Sequence, residues 1–419
     1  MARRDATCGE EAVVPGTWLL GQQRGTGPAA GAAVDRGGGG TRARSGDEPR
    51  AILLSLRTDG TGGAAGTGNG DGSSSLEELA RLADTDGLAV VGELRQARDR
   101  PDPATYLGSG KVEELARLAE QTDADLVVAD GELSPAQLRN LEDRTGVRVA
   151  DRTASILDIF AEHARSHEGK AQVELAQLAY QLPRLHGGGQ ALSRIGGGRT
   201  AGGAGTGVRG PGEQRLETQR RRLRKRMTTL RRQIAQLARR RETTRGRRAH
   251  NRVPSVAITG YTNAGKSALL NRLTGADALV EDALFATLDP LVRRAQLPDG
   301  SPHTFADTVG FVRHLPHQLV DAFRSTLDEV ATADLVLHVV DASAPDAMEQ
   351  ITTVRGVLSE IGATDRPELL VLNKIDAAPT EWVKALHHAY PDAVQVSART
   401  GEGLDQLRQE ISQNLDGTR

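Results

Sequence analysis

The chain has 419 residues, 38% apolar and only 3% aromatic, with a formal net charge of −2. That length allows about two or three domains, each with its own core. Cys8 is the single cysteine, which excludes disulfides and cysteine metal clusters and fits a reducing, cytoplasmic compartment. No apolar run nears the roughly eighteen residues of a membrane span, and Val13 to Leu20 is too short and interrupted for a signal peptide.

Residues 1–49 and 58–75 are rich in Gly, Ala, Thr and Arg without periodicity and are expected to be a disordered extension and a flexible insert. Between and after them, strands at 52–56, 88–94, 125–129 and 147–149 alternate with helices at 76–83, 111–119 and 135–143. Alternation of this kind predicts an N-terminal α/β domain over 50–152 with a parallel sheet. It contains Gly108-Ser109-Gly110-Lys111, a scrap of phosphate loop. No strand leads into it and no Ser or Thr follows the Lys, so a helix-entry loop is favoured over a second nucleotide site.

Residues 153–250 are expected to form an antiparallel helical hairpin. One arm, 153–185, carries Leu175, Leu178, Leu182 and Leu185; the other, 213–245, carries Leu223, Met227, Leu230, Ile234 and Leu237 at coiled-coil spacing. Residues 213–248 hold fifteen Lys/Arg against three Asp/Glu, a local +12 that leaves about −14 elsewhere. That is too one-sided for an ordinary solvated face and points to an anionic partner. Phosphate backbone is the economical choice. The tip, 186–212, holds twelve glycines plus Arg194, Arg199 and Arg209, which suits close approach to RNA; a plain linker is the alternative. So few aromatic residues argue against base stacking as the binding mode.

From 251 to 419 strands and helices alternate again, predicting a doubly wound, mostly parallel sheet with loops at the strands' carboxyl ends. After the apolar run 256–259 comes Gly260-Tyr261-Thr262-Asn263-Ala264-Gly265-Lys266-Ser267, then a helical pattern. This is the strand–loop–helix context in which a P-loop has meaning. Glycines let backbone N–H groups close around phosphate, and the helix start adds its positive end. Lys266 can reach the β- and γ-phosphates, and Ser267 can ligate Mg²⁺. Asn263 either holds the loop or offers its carbonyl to a monovalent cation, K⁺, that neutralises developing charge.

Phe285-Ala286-Thr287-Leu288-Asp289 contains the only Thr between the first helix and the next strand, twenty residues from both Ser267 and Asp307. Thr287 is assigned as the second protein oxygen on Mg²⁺, brought in by the γ-phosphate. In Asp307-Thr308-Val309-Gly310 the Asp can hold Mg²⁺ through water, and the Gly310 amide can bond the γ-phosphate. Phe311 stands where many GTPases carry a water-orienting Gln, so intrinsic hydrolysis should be slow. Asn373-Lys374-Ile375-Asp376 follows a buried-strand pattern. Its carboxylate can accept from guanine N1–H and the N2 amine, a donor pair adenine lacks. Asn373 and Lys374 buttress the loop and the base, and Ser397-Ala398-Arg399 fits a last base-contacting loop by position.

These residues resemble the HflX family of ribosome-associated GTPases over roughly residues 50–400. The family-specific runs are Tyr106–Lys111, Gln172–Leu178, Pro183-Arg184-Leu185 and Arg209-Gly210-Pro211-Gly212-Glu213, beside the general motifs at 260–267 and 285–289. The resemblance implies an N-terminal α/β domain, a hairpin reaching toward the peptidyl-transferase centre, and a G domain at the factor-binding region. It also implies binding to the large (50S) subunit, with ribosome splitting or rescue under stress. The chain is further expected to be a cytoplasmic monomer with neither DNA nor membrane as partner. Departures are an extra Arg199-to-Gly207 stretch and Pro290-Leu291-Val292 in place of a Thr-rich run. A GTPase of ribosome biogenesis or RNA modification is the competing expectation. A third is an RNA-binding module with a vestigial nucleotide site, against which intact Lys266, Ser267, Thr287, Asp307 and Asp376 argue.

Overall fold

Apolar runs too continuous to alternate become buried parallel strands, and they organise both halves of the chain. The computed structural model describes residues 48–58, 72–185, 211–250, 253–275, 284–285, 291–296, 300, 302–313 and 324–416. In the first half, β1 (Arg50–Thr58), β2 (Ala89–Arg98), β3 (Leu126–Ala129) and β4 (Arg148–Asp151) form a wholly parallel sheet in the order β2-β1-β3-β4. Helices α1 (Gly72–Thr85), α2 (Ser109–Thr122) and α3 (Pro135–Thr145) make the crossovers. The expected insert is therefore shorter than read: Thr58 closes β1 and Gly72–Ser75 open α1. Gly108 caps α2, so the 108–111 scrap is a helix entry. The expected extension 1–49 lies outside the described residues apart from 48 and 49.

The first hairpin arm is not one helix. It breaks into α4 (Arg152–His163) and α5 (His167–Arg184). Ala164 takes an extended ψ of 107°, and Ser166 starts the second helix by accepting from the Gly169 N–H at 2.9 Å. The leucine seam at 175, 178, 182 and 185 is only half-buried. The residues of α5 that enter the N-terminal core are instead Val173, Ala176 and Tyr180. Asp151, fully buried, accepts from the Tyr180 hydroxyl and from Arg184 Nη2, both at 2.9 Å, and pins the far end of α5 to the sheet.

The second arm, α6 (Pro211–His250), is a single helix of 40 residues, about 60 Å long at 1.5 Å per residue. Met227 and Leu230 are buried beneath it. Arg226 grips Glu174 at 2.6 and 2.7 Å and Arg241 pairs with Glu168 at 2.7 Å. Rising numbers on α6 thus meet falling numbers on α5, an antiparallel pair. The tip residues 186–210 lie outside the described residues.

The second half has six strands in the order β10-β9-β8-β5-β7-β6: β5 (Ser255–Gly260), β6 (Leu291–Gln296), β7 (Pro302–Asp307), β8 (Leu335–Asp341), β9 (Glu368–Asn373) and β10 (Val394–Gln395). Only the β6–β7 pair is antiparallel. Helices α7 (Lys266–Thr274), α8 (Arg324–Ala331), α9 (Ala347–Glu360), α10 (Thr380–Ala389) and α11 (Leu404–Asp416) cover it. One apolar cluster runs without interruption from Leu53, Leu157 and Phe160 into Tyr261, Phe285 and Phe311, so the two α/β units share a core. Among the described residues no helix is long and apolar enough to cross a membrane.

Candidate functional site

The loop after β5 turns through two strained glycines. At Gly260, φ is +147°, and a Cβ would lie 2.1 Å from the Val339 carbonyl oxygen; at Gly265, φ is +88°, and a Cβ would meet Asn373 Nδ2 at 2.3 Å. Only glycine fits either place. Asn263, at φ +59°, takes the left-handed conformation that Asn tolerates, and it is exposed. Lys266 opens α7 but is 6% exposed, its Nζ donating to the Tyr261 carbonyl at 2.8 Å. Burial pushes its ammonium down to about 8, against the pull of Asp307. A phosphate oxygen brought beside it would favour the charged form again.

β7 delivers Asp307 to the same place. Its Oδ2 accepts from the Ser267 hydroxyl at 2.7 Å, so a hydroxyl and a carboxylate stand together beside the helix start, an all-oxygen pair of the hard kind that suits Mg²⁺. The Thr308 hydroxyl donates to the Ile258 carbonyl at 2.8 Å and ties the segment to β5. Beyond it the chain crosses the phosphate loop: Phe311 N–H donates to Gly260 O at 3.1 Å, and Thr262 N–H donates to Phe311 O at 2.7 Å. The Phe311 ring is buried at 2% exposure.

At the end of β9, Asn373 bridges three loops. Its Nδ2 donates to Ala264 O at 2.8 Å, and its Oδ1 accepts from Ala398 N–H at 3.0 Å. Asp376 accepts from the Ser397 hydroxyl at 2.6 Å, which aims the carboxylate. Lys374, at φ +63°, pairs with Asp341 at 2.7 Å. Arg272 of α7 donates to the carbonyls of Ala398 and Arg399 at 2.9 and 2.7 Å.

The loops singled out in the sequence, 260–267, 307–310, 373–376 and 397–399, thus lie together at the carboxyl ends of β5, β7, β9 and β10. Of the run 285–289 only Phe285 is described, at φ +59° and 2% exposure; Ala286, Thr287, Leu288 and Asp289 lie outside the described residues. Sequence reading missed Glu78, Arg152 and Phe160, which approach the site from the N-terminal domain. It also missed Arg272 and Asp341. No motif marks any of them, and only the pattern of burial could have suggested Phe160.

The profile of the GTP-binding GTPase N-terminal family matches residues 73–161, that of the GTP-binding GTPase middle region 163–248, and that of the 50S ribosome-binding GTPase family 255–374. The chain is 47% identical over 369 residues to GTPase HflX of Caldanaerobacter subterraneus subsp. tengcongensis, covering 88% of this chain and 81% of that protein. With GTPase HflX of Escherichia coli (strain K12) it shares 45% over 344 residues, 82% of this chain and 79% of the relative. It is also similar, at 24% identity and a TM-score of 0.47 over 88% of this chain and 99% of the other, to the crystal structure of SsGBP and GDP complex. Through its relatives of nearly half-identical sequence along most of its length, the chain belongs to the GTPase HflX family.

Proposed function

We propose that this GTPase is a GTP-driven switch that docks on the large ribosomal (50S) subunit and acts in ribosome splitting or rescue. The observation that carries the reading is the convergence of the phosphate loop, the Ser267–Asp307 pair and the Asn373–Asp376 loop at one end of one sheet. In this reading Lys266 holds the β- and γ-phosphates, the Gly310 amide meets the γ-phosphate, and Asp376 accepts from guanine. Ser267 and Thr287 would hold Mg²⁺, with the Asp307 carboxylate beside them. The bound ion would neutralise charge developing on the phosphate oxygens.

Buried Phe311 neither polarises nor places water, so turnover is slow until the ribosome contributes; Asn263 offers a seat for K⁺. Docking is electrostatic. Arg221, Arg222, Arg224, Lys225, Arg231 and Arg232 are all exposed on α6. The protein works as a cytoplasmic monomer, and residues 186–248 contact large-subunit RNA.

Sucrose-gradient profiles of 70S ribosomes with the full chain test this. With a non-hydrolysable GTP analogue, free subunits should accumulate and the protein should travel with 50S; with GDP it should do neither. Lys266→Ala should abolish both effects. If the analogue left 70S intact while the protein still bound 50S, its cycle would belong to subunit assembly instead.

A further inference from the structure

The second residue of the phosphate loop, Tyr261, carries the only phenol that joins the N-terminal domain to the segment after Asp307 among the described residues. Its hydroxyl donates to Glu78 Oε2 at 2.6 Å and accepts the Arg313 N–H at 2.7 Å. One O–H and one lone pair are thereby spent on two different domains. Burial, then the neighbouring Glu78 charge, holds the phenol well above its ordinary range, so it stays a donor.

Glu78 is itself held. It pairs with Arg152, 2% exposed, whose other nitrogen meets Asp130 at 2.9 Å. Burial alone would weaken the guanidinium charge, yet the two carboxylates raise its pKa. A buried pair of this kind is stiff, because removing one partner strands the other charge. On the far side, Arg313 Nη2 is fastened to Asp346 at 2.6 Å and Glu349 at 2.9 Å.

This chain of bonds holds the segment down on the phosphate loop. A Cβ placed on Gly310 would lie 2.8 Å from Thr262 Cα and 2.9 Å from Lys266 Nζ. The Thr262 amide is engaged by Phe311 O. A terminal phosphate has to enter beside the Lys266 ammonium, against the Gly310 amide. The backbone of Gly310 is thus packed against Thr262 and Lys266, the place a terminal phosphate would enter, so segment and γ-phosphate compete for it, whereas a β-phosphate inside the loop does not.

We propose that Glu78 and Tyr261 are positioning residues that set the preference between GTP and GDP. The Glu78–Tyr261–Arg313 contact latches the segment 307–313 against the P-loop and disfavours a γ-phosphate. Because coupling is reciprocal, γ-phosphate binding weakens the N-terminal domain's hold on the nucleotide domain by the same factor. This inference rests on residues 260–267 being the phosphate loop.

The test measures Kd of the full chain, with Mg²⁺, for GDP and for the non-hydrolysable analogue GMPPNP. Tyr261→Phe deletes only the hydroxyl. It should raise GMPPNP affinity relative to GDP about tenfold, the usual scale for losing a hydrogen bond to a charged group. Glu78→Gln keeps an acceptor but loses the charge and should give about threefold in the same direction. General loosening would weaken both nucleotides and leave the ratio where it was. A ratio unchanged within about twofold, or lowered, overturns the latch whatever the variant's absolute affinity for GDP. Should Tyr261→Phe fail to fold, Glu78→Gln decides alone. If the wild-type chain bound no GDP at all, the phosphate-loop assignment itself would fall, a distinguishable result.

Discussion

The ring of Phe160 in α4 stands edge-on to that of Phe285, centroids 4.5 Å apart and planes inclined by 63°, joining α4 to the turn at 284–285. Phe285 reaches this position in a left-handed backbone conformation that a bulky side chain adopts only when its surroundings over-determine it. Phe160→Ala should cost about 3–5 kcal/mol, the scale for emptying a buried aromatic site. It should also split unfolding into two transitions. Calorimetry checks this: a single transition at a wild-type temperature would mean the shared core does not couple the two units.

If Asp376 binds guanine, Asp376→Asn replaces an aimed acceptor with an amide that would meet the base's donors with a donor of its own. GTP affinity should fall by roughly ten- to a hundredfold, and preference over xanthosine triphosphate should relax or reverse. Competition binding with the two nucleotides reads it. Unchanged preference for GTP would remove Asp376 from the base site.

Hydrolysis should run faster in KCl than in NaCl at equal ionic strength if the exposed Asn263 helps seat a cation beside the phosphates. Asn263→Ala should erase the difference without weakening GDP binding more than about twofold. Equal rates in the two salts would leave Asn263 with the loop's backbone turn as its only task.

Arg221, Arg222 and Arg224 are exposed on α6, whereas Arg220 is half-buried and lies 4.0 Å from Glu217. Replacing the exposed three by Gln should weaken 50S binding and lower the slope of log affinity against log salt by about 0.7–0.9 for each phosphate no longer neutralised. Intrinsic hydrolysis should hardly change, because α6 is a different element from the phosphate loop. Sedimentation across a salt series distinguishes this from a solvated face, for which affinity would stay at wild type.

Asp86, at the end of α1, has its Oδ2 buried with no hydrogen-bond partner among the described residues. Burial, then the charges of Asp158 and Glu162, raises its pKa to about 9. A raised carboxyl favours the folded state while protonated. Its contribution is present below the unfolded value near 4 and is lost as pH climbs toward about 9. Asp86→Asn should therefore stabilise by about 1–3 kcal/mol at neutral pH and by little at about pH 4. Melting curves over that range read the difference, and a gain that did not grow with pH would contradict it.

The alternating elements of both α/β units and the four loops gathered at the strands' carboxyl ends were legible because each is a local pattern: an apolar run, a glycine at a fixed offset, a polar group after a strand. The basic arm was legible from charge alone, and its length of 40 residues follows from unbroken helical spacing. The break at 164–166 was not read, although Ser166 caps the second helix there and the run 165–170 carries no apolar residue. Nor did the leucines of α5 reveal its true core face, since Val173, Ala176 and Tyr180 join an apolar cluster assembled from several elements of the tertiary structure.

The phosphate loop, and the Asp376 carboxylate assigned to the base, were written in residues 260–376 themselves, where backbone geometry and donor sets are set by neighbours along the chain. The bonds that tie those loops to the N-terminal domain were decided only by the tertiary structure. Glu78 and Tyr261 are 183 residues apart, and no single-chain periodicity encodes a hydrogen bond of that separation. It exists because two sheets bury one common apolar cluster, and exclusion of water there makes the Glu78–Arg152–Asp130 charges seek each other.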